Sequence, residues 1–129
     1  MKRGDIYLTF ERGEGSVQTG LRPVIVVQNN IGNHFSPTTI VCSITTAKKP
    51  PIPTHLFIGK SGGLSKNSTV LCEQIKTIDK KSLITYVGSI TDKDTLKELD
   101  KRILISLGLI KGVDYIERPY TTKWFTCYA

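Results

Sequence analysis

Gly20-Leu21-Arg22-Pro23-Val24-Ile25-Val26-Val27 decides the fold, because a proline there opens an unbroken β-branched run. β-Branched side chains suit a pleated surface. Proline is tolerated at a strand's first positions, where no ladder donor is yet required. A run without polar alternation is the pattern of a strand covered on both faces. The segment predicts an inner strand with Arg22 at its mouth.

On its N-terminal side, residues 5–10 set Ile6, Leu8 and Phe10 on one face at period two, which predicts a half-buried strand. Residues 11–20 between these strands are polar and hold three glycines, a loop able to move and to bind. On the C-terminal side, residues 29–37 carry Asn, Gly and Ser-Pro breakers, and residues 38–45 return to strand composition. Lys48, Lys49 and three prolines make 47–53 an irregular loop. Strands follow at 55–58, 69–73, 75–78 and 84–89, with turns at 59–63 and 79–81. Short strands at this frequency predict a mainly β chain built as a small barrel. From Thr91 the period changes. Thr91-Asp92-Lys93-Asp94 reads as a capping box with Asp in the place of Glu. Leu96, Leu99, Ile103 and Leu107 recur at helical spacing up to Gly108, with Lys101 and Arg102 toward the negative end. This amphipathic helix is expected to plug or flank the barrel. Residues 111–129 form a tail with five of the ten aromatics, to which the pattern assigns no role.

The chain has 129 residues, 39% of them hydrophobic, enough for one domain with one core. Cys42, Cys72 and Cys127 are odd in number and lack C-x-x-C spacing, so neither a structural disulfide nor a zinc site is expected. No apolar stretch reaches membrane-spanning length, and the basic start is not followed by a signal-peptide core. The expectation is a cytoplasmic protein with reduced thiols and no membrane partner. The net charge is +7, and residues 1–60 hold seven basic against three acidic side chains. Such an excess attracts nucleic acid, acidic protein segments or anionic lipid. Here it is scattered among Gly- and Pro-rich stretches and not gathered on a helix, which argues against a membrane-surface or basic-zipper reading.

No H-E-x-x-H, G-x-S-x-G, P-loop or paired metal-ligand spacing is present, so metal catalysis has no support in the sequence. His34 and His55 offer one acid–base pair of a kind that cleaves RNA. Arg22 offers another chemistry: between a Gly-rich loop and a buried strand, its head can be held over a cleft by rigid backbone. The plainer alternative at that position is a solvated ion pair.

Arg3-Gly4-Asp5-Ile6-Tyr7, Gly20 to Asn29, Phe35-Ser36-Pro37-Thr38, Ile44-Thr45, Pro53-Thr54-His55, Glu73 to Asp79 and Ile105 to Leu109 resemble, in order, the successive blocks of the MazF/PemK family. The resemblance covers about residues 2–110, which divides the chain into a MazF/PemK-like endoribonuclease domain at 1–110 and a tail at 111–129. It implies an SH3-like small β-barrel of the MazF, PemK and CcdB kind, assembled as a homodimer. It also implies the toxin of a type II toxin–antitoxin system that cuts single-stranded RNA, mRNA included, at short sequences without the ribosome, metal or cofactor. A cognate antitoxin with a flexible acidic segment would neutralise it. Attack by the substrate's own 2′-hydroxyl would leave a 2′,3′-cyclic phosphate and a 5′-hydroxyl. The family's catalytic arginine and threonine fall on Arg22 and Thr45. Its RNA-binding positions point to Ser16, Gln18, Thr46, Lys48, Pro53, His55, Glu73 and Gln74. One departure lies in the first loop, where Val17 stands where many relatives carry an acidic residue. Two other readings keep the barrel: a gyrase-binding poison like CcdB, which needs no Arg22, and an RNA-binding barrel that does not cut.

Overall fold

Seven stretches of strand-forming sequence become six strands in the computed structural model, because the segments at 69–73 and 75–78 are one strand with an irregularity between them. The structure describes residues 1–11 and 20–111. In chain order the elements are β1 (Asp5–Glu11), β2 (Gly20–Val26), α1 (Asn30–Phe35), β3 (Thr38–Thr45), β4 (His55–Gly59), β5 (Ser68–Asp79), a 3-10 turn (Lys80–Ser82), β6 (Leu83–Ser89) and α2 (Lys93–Ser106). The strands form one antiparallel sheet in the order β4-β5-β3-β2-β1-β6.

Among the described residues this is the mainly β, small-barrel fold that strand frequency suggested, curled but not closed, since β4 and β6 remain its edges. β4 has only five residues and runs into a Gly-rich turn, too short to carry a ladder onto β6. The turn instead lies backbone against backbone on β6. A Cβ on Gly63 would fall 2.3 Å from the Val87 carbonyl oxygen, and one on Gly88 2.3 Å from that of Gly62. Glycine at these positions lets the curled sheet meet itself.

β2 is buried on both faces, as its unbroken apolar run requires. Ile25 joins Ile6, Ile44, Val70, Ile90 and Leu99 in the main core. Val24 and Val26 turn the other way and form a smaller cluster with Val41. The expected apolar face of β1 holds only in part: Ile6 is fully buried, but Phe10 is 56% exposed. The two register shifts fall in β6, where Val87 and Ile84 are passed over, so Phe10 lies beyond the end of the core, while Thr9, on the opposite face, is buried with its hydroxyl donating to the Ser82 carbonyl at 2.8 Å.

The breaker segment at 29–37 contains α1, a helix of six residues and too short for periodicity to reveal. Asn29 caps it by accepting from the Gly32 N–H at 2.8 Å. The buried Asn33 fastens it: its amide donates to the Gln28 carbonyl at 2.9 Å and its oxygen accepts from Thr39 at 2.8 Å. In α2 the cap is Asp92 and not Thr91. The Asp92 carboxylate accepts from the Thr95 N–H at 2.9 Å and the Thr95 hydroxyl at 2.6 Å, a pairing one residue beyond the predicted box. The helix ends at Gly108 as expected, with φ 74°. Gly108 N–H donates to Ile105 and Leu109 N–H to Leu104, which meets the last open carbonyls. Leu99 is buried in the core and Leu96 and Ile103 pack against it, so α2 flanks the sheet.

Candidate functional site

Arg22 sits near the start of β2, opposite Thr9 of β1. The β2–β3 ladder ends at the pair Val24–Ser43, and Arg22 and Thr45 lie two residues beyond it, each on the same face of its strand as that last pair. Thr45 is in turn paired with Thr69 of β5, and Thr69 with Phe57 of β4. Directly opposed residues share a face, so Thr9 with Arg22, and Thr45 with Thr69 and Phe57, line up as one row on the face away from the main core, the two groups meeting just past the β2–β3 ladder. Two residues twenty-three positions apart in the sequence thus come to one face of adjacent strands, just past the end of their ladder.

Both keep their chemistry available. The half-buried Arg22 guanidinium makes one hydrogen bond among the described residues, to the Leu21 carbonyl at 3.4 Å, which is long for a charged donor. The Thr45 hydroxyl accepts from the Ala47 N–H at 3.1 Å, so its oxygen is oriented while its own proton remains free to donate.

After β3 the chain enters residues 46–54, where Thr46 and Lys48 are exposed and Pro53 half-buried. A cleft of about 600 Å³ lies here, with Thr46, Lys48, Lys49, His55, Phe57 and Arg102 among its walls. Arg22 and Thr45 stand beside this cleft, not in it. His55 and Glu73 are brought together: His55 Nε2 is 3.2 Å from Glu73 Oε1, and Nδ1 is 2.9 Å from the Pro50 carbonyl oxygen. The irregularity in β5 explains Glu73 and Gln74. Pairing with β3 jumps from Cys42↔Ile75 to Ser43↔Leu71, leaving Cys72, Glu73 and Gln74 without β3 partners. The Cys72 N–H donates to the Thr54 carbonyl at 2.8 Å, and Glu73 and Gln74 are pushed outward.

The two histidines do not form an acid–base pair. His34 lies on α1 with its ring edge-on to Phe35 at 4.5 Å, whereas His55 is committed to Pro50 and Glu73. Ser16 and Gln18 lie outside the described residues, as do residues 112–129 of the tail. Sequence reading missed Arg102 as a part of the site. Its Nη1 donates to the carbonyls of Pro53 at 3.1 Å and His55 at 2.9 Å, and more weakly to Ile52 at 3.4 Å. Its Nε reaches Glu98 at 3.3 Å, a contact that the i,i+4 spacing does announce. The buried thiols of Cys42 and Cys72 are both pushed up to about 12 by burial, which leaves them unreactive near neutral pH. Among the described residues no group of His, Cys, Asp and Glu gathers as a metal site, and no helix is long and apolar enough to cross a membrane.

Residues 2–107 match the family described as PemK-like, MazF-like toxin of type II toxin–antitoxin system. The chain belongs to this family. It is 47% identical over 112 residues to the endoribonuclease MazF of Staphylococcus saprophyticus, covering 84% of this chain and 92% of that protein. It is 44% identical over 113 residues to the endoribonuclease EndoA of Bacillus subtilis, covering 85% of this chain and 97% of that one. In fold it is similar to a mycobacterial endoribonuclease solved in complex with its cognate antitoxin, with a TM-score of 0.72 and 27% identity over 87% of this chain and 99% of that one.

Within this MazF-like chain the family blocks divide by role. Arg3-Gly4-Asp5 is structural: Arg3 bridges the Val27 carbonyl at 2.8 Å and the Asp100 carboxylate at 2.7 Å, joining β2 to α2. Gly4, at φ 96°, donates to Val26 and accepts from Ile90. Asp5 accepts from the Lys2 N–H at 2.8 Å and from Ser89 at 2.6 Å. The blocks around Arg22, Thr45, His55 and Glu73 instead leave polar groups facing outward around one cleft.

Proposed function

We propose that this chain is the toxin of a type II toxin–antitoxin pair and acts as a sequence-specific endoribonuclease on single-stranded RNA such as mRNA, through residues 1–110. The observation that carries the reading is the row that sets a guanidinium without a strong partner beside an oriented threonine hydroxyl. In-line attack of the substrate's 2′-hydroxyl forms the 2′-oxygen–phosphorus bond and breaks the bond to the 5′-oxygen. The 2′ proton leaves and the 5′-oxygen gains one, giving a 2′,3′-cyclic phosphate and a 5′-hydroxyl. Negative charge grows on the non-bridging oxygens, and the Arg22 fork is suited to clamp them in a bidentate way. Arg22 acts by charge first and by proton transfer only second, because a guanidinium has little drive to give up its proton near neutral pH. Thr45 donates its free proton to a phosphate oxygen or orients the 2′-hydroxyl. Thr46, Lys48, Pro53, His55, Glu73 and Gln74, together with Ser16 and Gln18, read splayed bases and hold the single strand.

The net charge of +7, with Lys48 and Lys49 on the cleft, suits an acidic segment of an antitoxin, and the mycobacterial relative solved with its cognate antitoxin supports an antitoxin as the partner. A cytoplasmic homodimer is part of the same reading. Purified protein incubated with a long RNA in EDTA should cut it and leave cyclic-phosphate ends. Arg22→Ala should lower the rate by about a hundredfold to a thousandfold, the usual cost of one preorganised donor. Intact RNA with folded wild-type protein would overturn the nuclease and favour a binding barrel.

A further inference from the structure

The row that holds Arg22 and Thr45 continues to a residue with no assigned role. Phe57 lies two strands beyond Thr45, about 10 Å away in the backbone, on the same face. It is 67% exposed and lines the cleft that also holds Lys48, Lys49 and Asn67. The Phe57 ring and the Asn67 side chain converge over Gly59. Both come within 3.7 Å of the place its Cβ would occupy, and the missing Cβ leaves a gap between them. Among the described residues no hydrogen bond engages the Asn67 side chain. The other exposed Phe residues among those described, Phe10 and Phe35, are not among the walls of this cleft. An exposed ring, an open amide and two lysines together match an unstacked nucleobase with its phosphate: ring on ring, amide on base edge, ammonium on phosphate. An acidic peptide would use the lysines but has no need of the ring.

We propose that Phe57 and Asn67 form a base-binding subsite for single-stranded RNA, flanking the row of Arg22 and Thr45. The proposal rests on the ribonuclease reading for its substrate, and it goes beyond it in naming where a flanking base is held. The base stacks on Phe57, Asn67 meets its hydrogen-bonding edge, and Lys48 and Lys49 take the adjoining phosphate. Loss of one stacked base lowers affinity by about fivefold to a hundredfold.

Phe57→Ala, Phe57→Trp and Asn67→Ala are the variants to compare, after melting curves establish that each is folded. Binding is read by fluorescence anisotropy on a short labelled 2′-O-methyl RNA pool of random sequence, which lacks the nucleophile and cannot be cut by 2′-hydroxyl attack. Cutting is read as kcat and KM on a long RNA, with the ends sequenced. Phe57→Ala should weaken binding and raise KM by at least about fivefold with little change in kcat, and Phe57→Trp should restore both. Asn67→Ala should relax the base preference at one position flanking the cut. Unchanged binding in Phe57→Ala would overturn the subsite. So would failure of Phe57→Trp to rescue, or a loss confined to association with polyglutamate. If Phe57→Ala weakens RNA binding while the wild type never cuts, the nuclease reading falls and the subsite stands.

Discussion

Arg102→Ala tests whether a helix residue holds the cleft together. The Arg102 side chain is 28% exposed, and its Nη1 donates to the carbonyls of Pro53 and His55 at 3.1 and 2.9 Å. The contact with Ile52 at 3.4 Å adds little. A hydrogen bond from a charged donor contributes about 1.5–3 kcal/mol, and partial exposure places both good bonds at the low end of that range. Removing them should cost about 2–3 kcal/mol, with some of each carbonyl's loss returned by water. The exposed pair with Glu98 adds less than about 0.5 kcal/mol. Urea denaturation followed by circular dichroism should therefore move the midpoint of Arg102→Ala well below wild type at unchanged slope. Arg102→Lys should recover only part of the difference, because an ammonium on a flexible stem holds its donors on the two carbonyls less rigidly than the planar guanidinium does and gives up the Nε contact with Glu98. The loop that carries Pro53 and His55 would loosen as well, so KM for RNA should rise more than kcat falls. A stability change within about 0.5 kcal/mol, the usual range for a surface substitution, would refute this account of the loop.

Two smaller predictions follow from single groups. Thr54 is fully buried and its hydroxyl oxygen has no hydrogen-bond partner among the described residues, so Thr54→Val should raise stability by about 1 kcal/mol, whereas a drop in the urea midpoint would show a hidden partner. Asp92 has its carboxyl held below the ordinary range by hydrogen bonds from the Thr95 side chain and backbone, so its capping contribution is present above the unfolded-state value and is lost as pH falls through the lower folded-state one. Asp92→Asn keeps a good cap without the titration, and its melting temperature should fall less steeply on the acid side than that of wild type; parallel profiles would count against the cap.

The fold was legible where side-chain pattern alone sets the environment. The apolar run of β2 demanded cover on both faces, and Ile25 and Val24 found it in separate clusters. Gly108 ended α2 because a positive φ is cheap only for glycine. Legibility failed where tertiary contacts overrode the local pattern. Phe10 follows period two yet lies past the end of the core, opposite Leu21, which is also exposed. The Asn29 cap and the buried Asn33 make a helix from residues that read as breakers. For the site, Arg22 and Thr45 came from family blocks, and only sheet order and register bring them to one face of adjacent strands. The bend that turns Glu73 outward toward His55 was visible only as an apparent gap between two strands.

The arginines sharpen the case for Arg22. Among the described residues there are three, alike in chemistry and different in commitment. Arg3 donates to the Val27 carbonyl and pairs with Asp100, so its guanidinium joins two elements. Arg102 is divided among the carbonyls of a loop and Glu98. Arg22 has one 3.4 Å contact with its own neighbour's carbonyl. A half-buried guanidinium without strong partners gives the fold little, so stability does not account for its presence beside Thr45. The consequence is a double dissociation. Arg3→Ala and Arg102→Ala should lower the melting temperature by several degrees, at about 4 °C for each kcal/mol in a domain of this size. Arg22→Ala should leave it nearly unchanged while cutting falls furthest. Equal destabilisation by all three would make Arg22 one more structural clamp and would remove the phosphate-binding role.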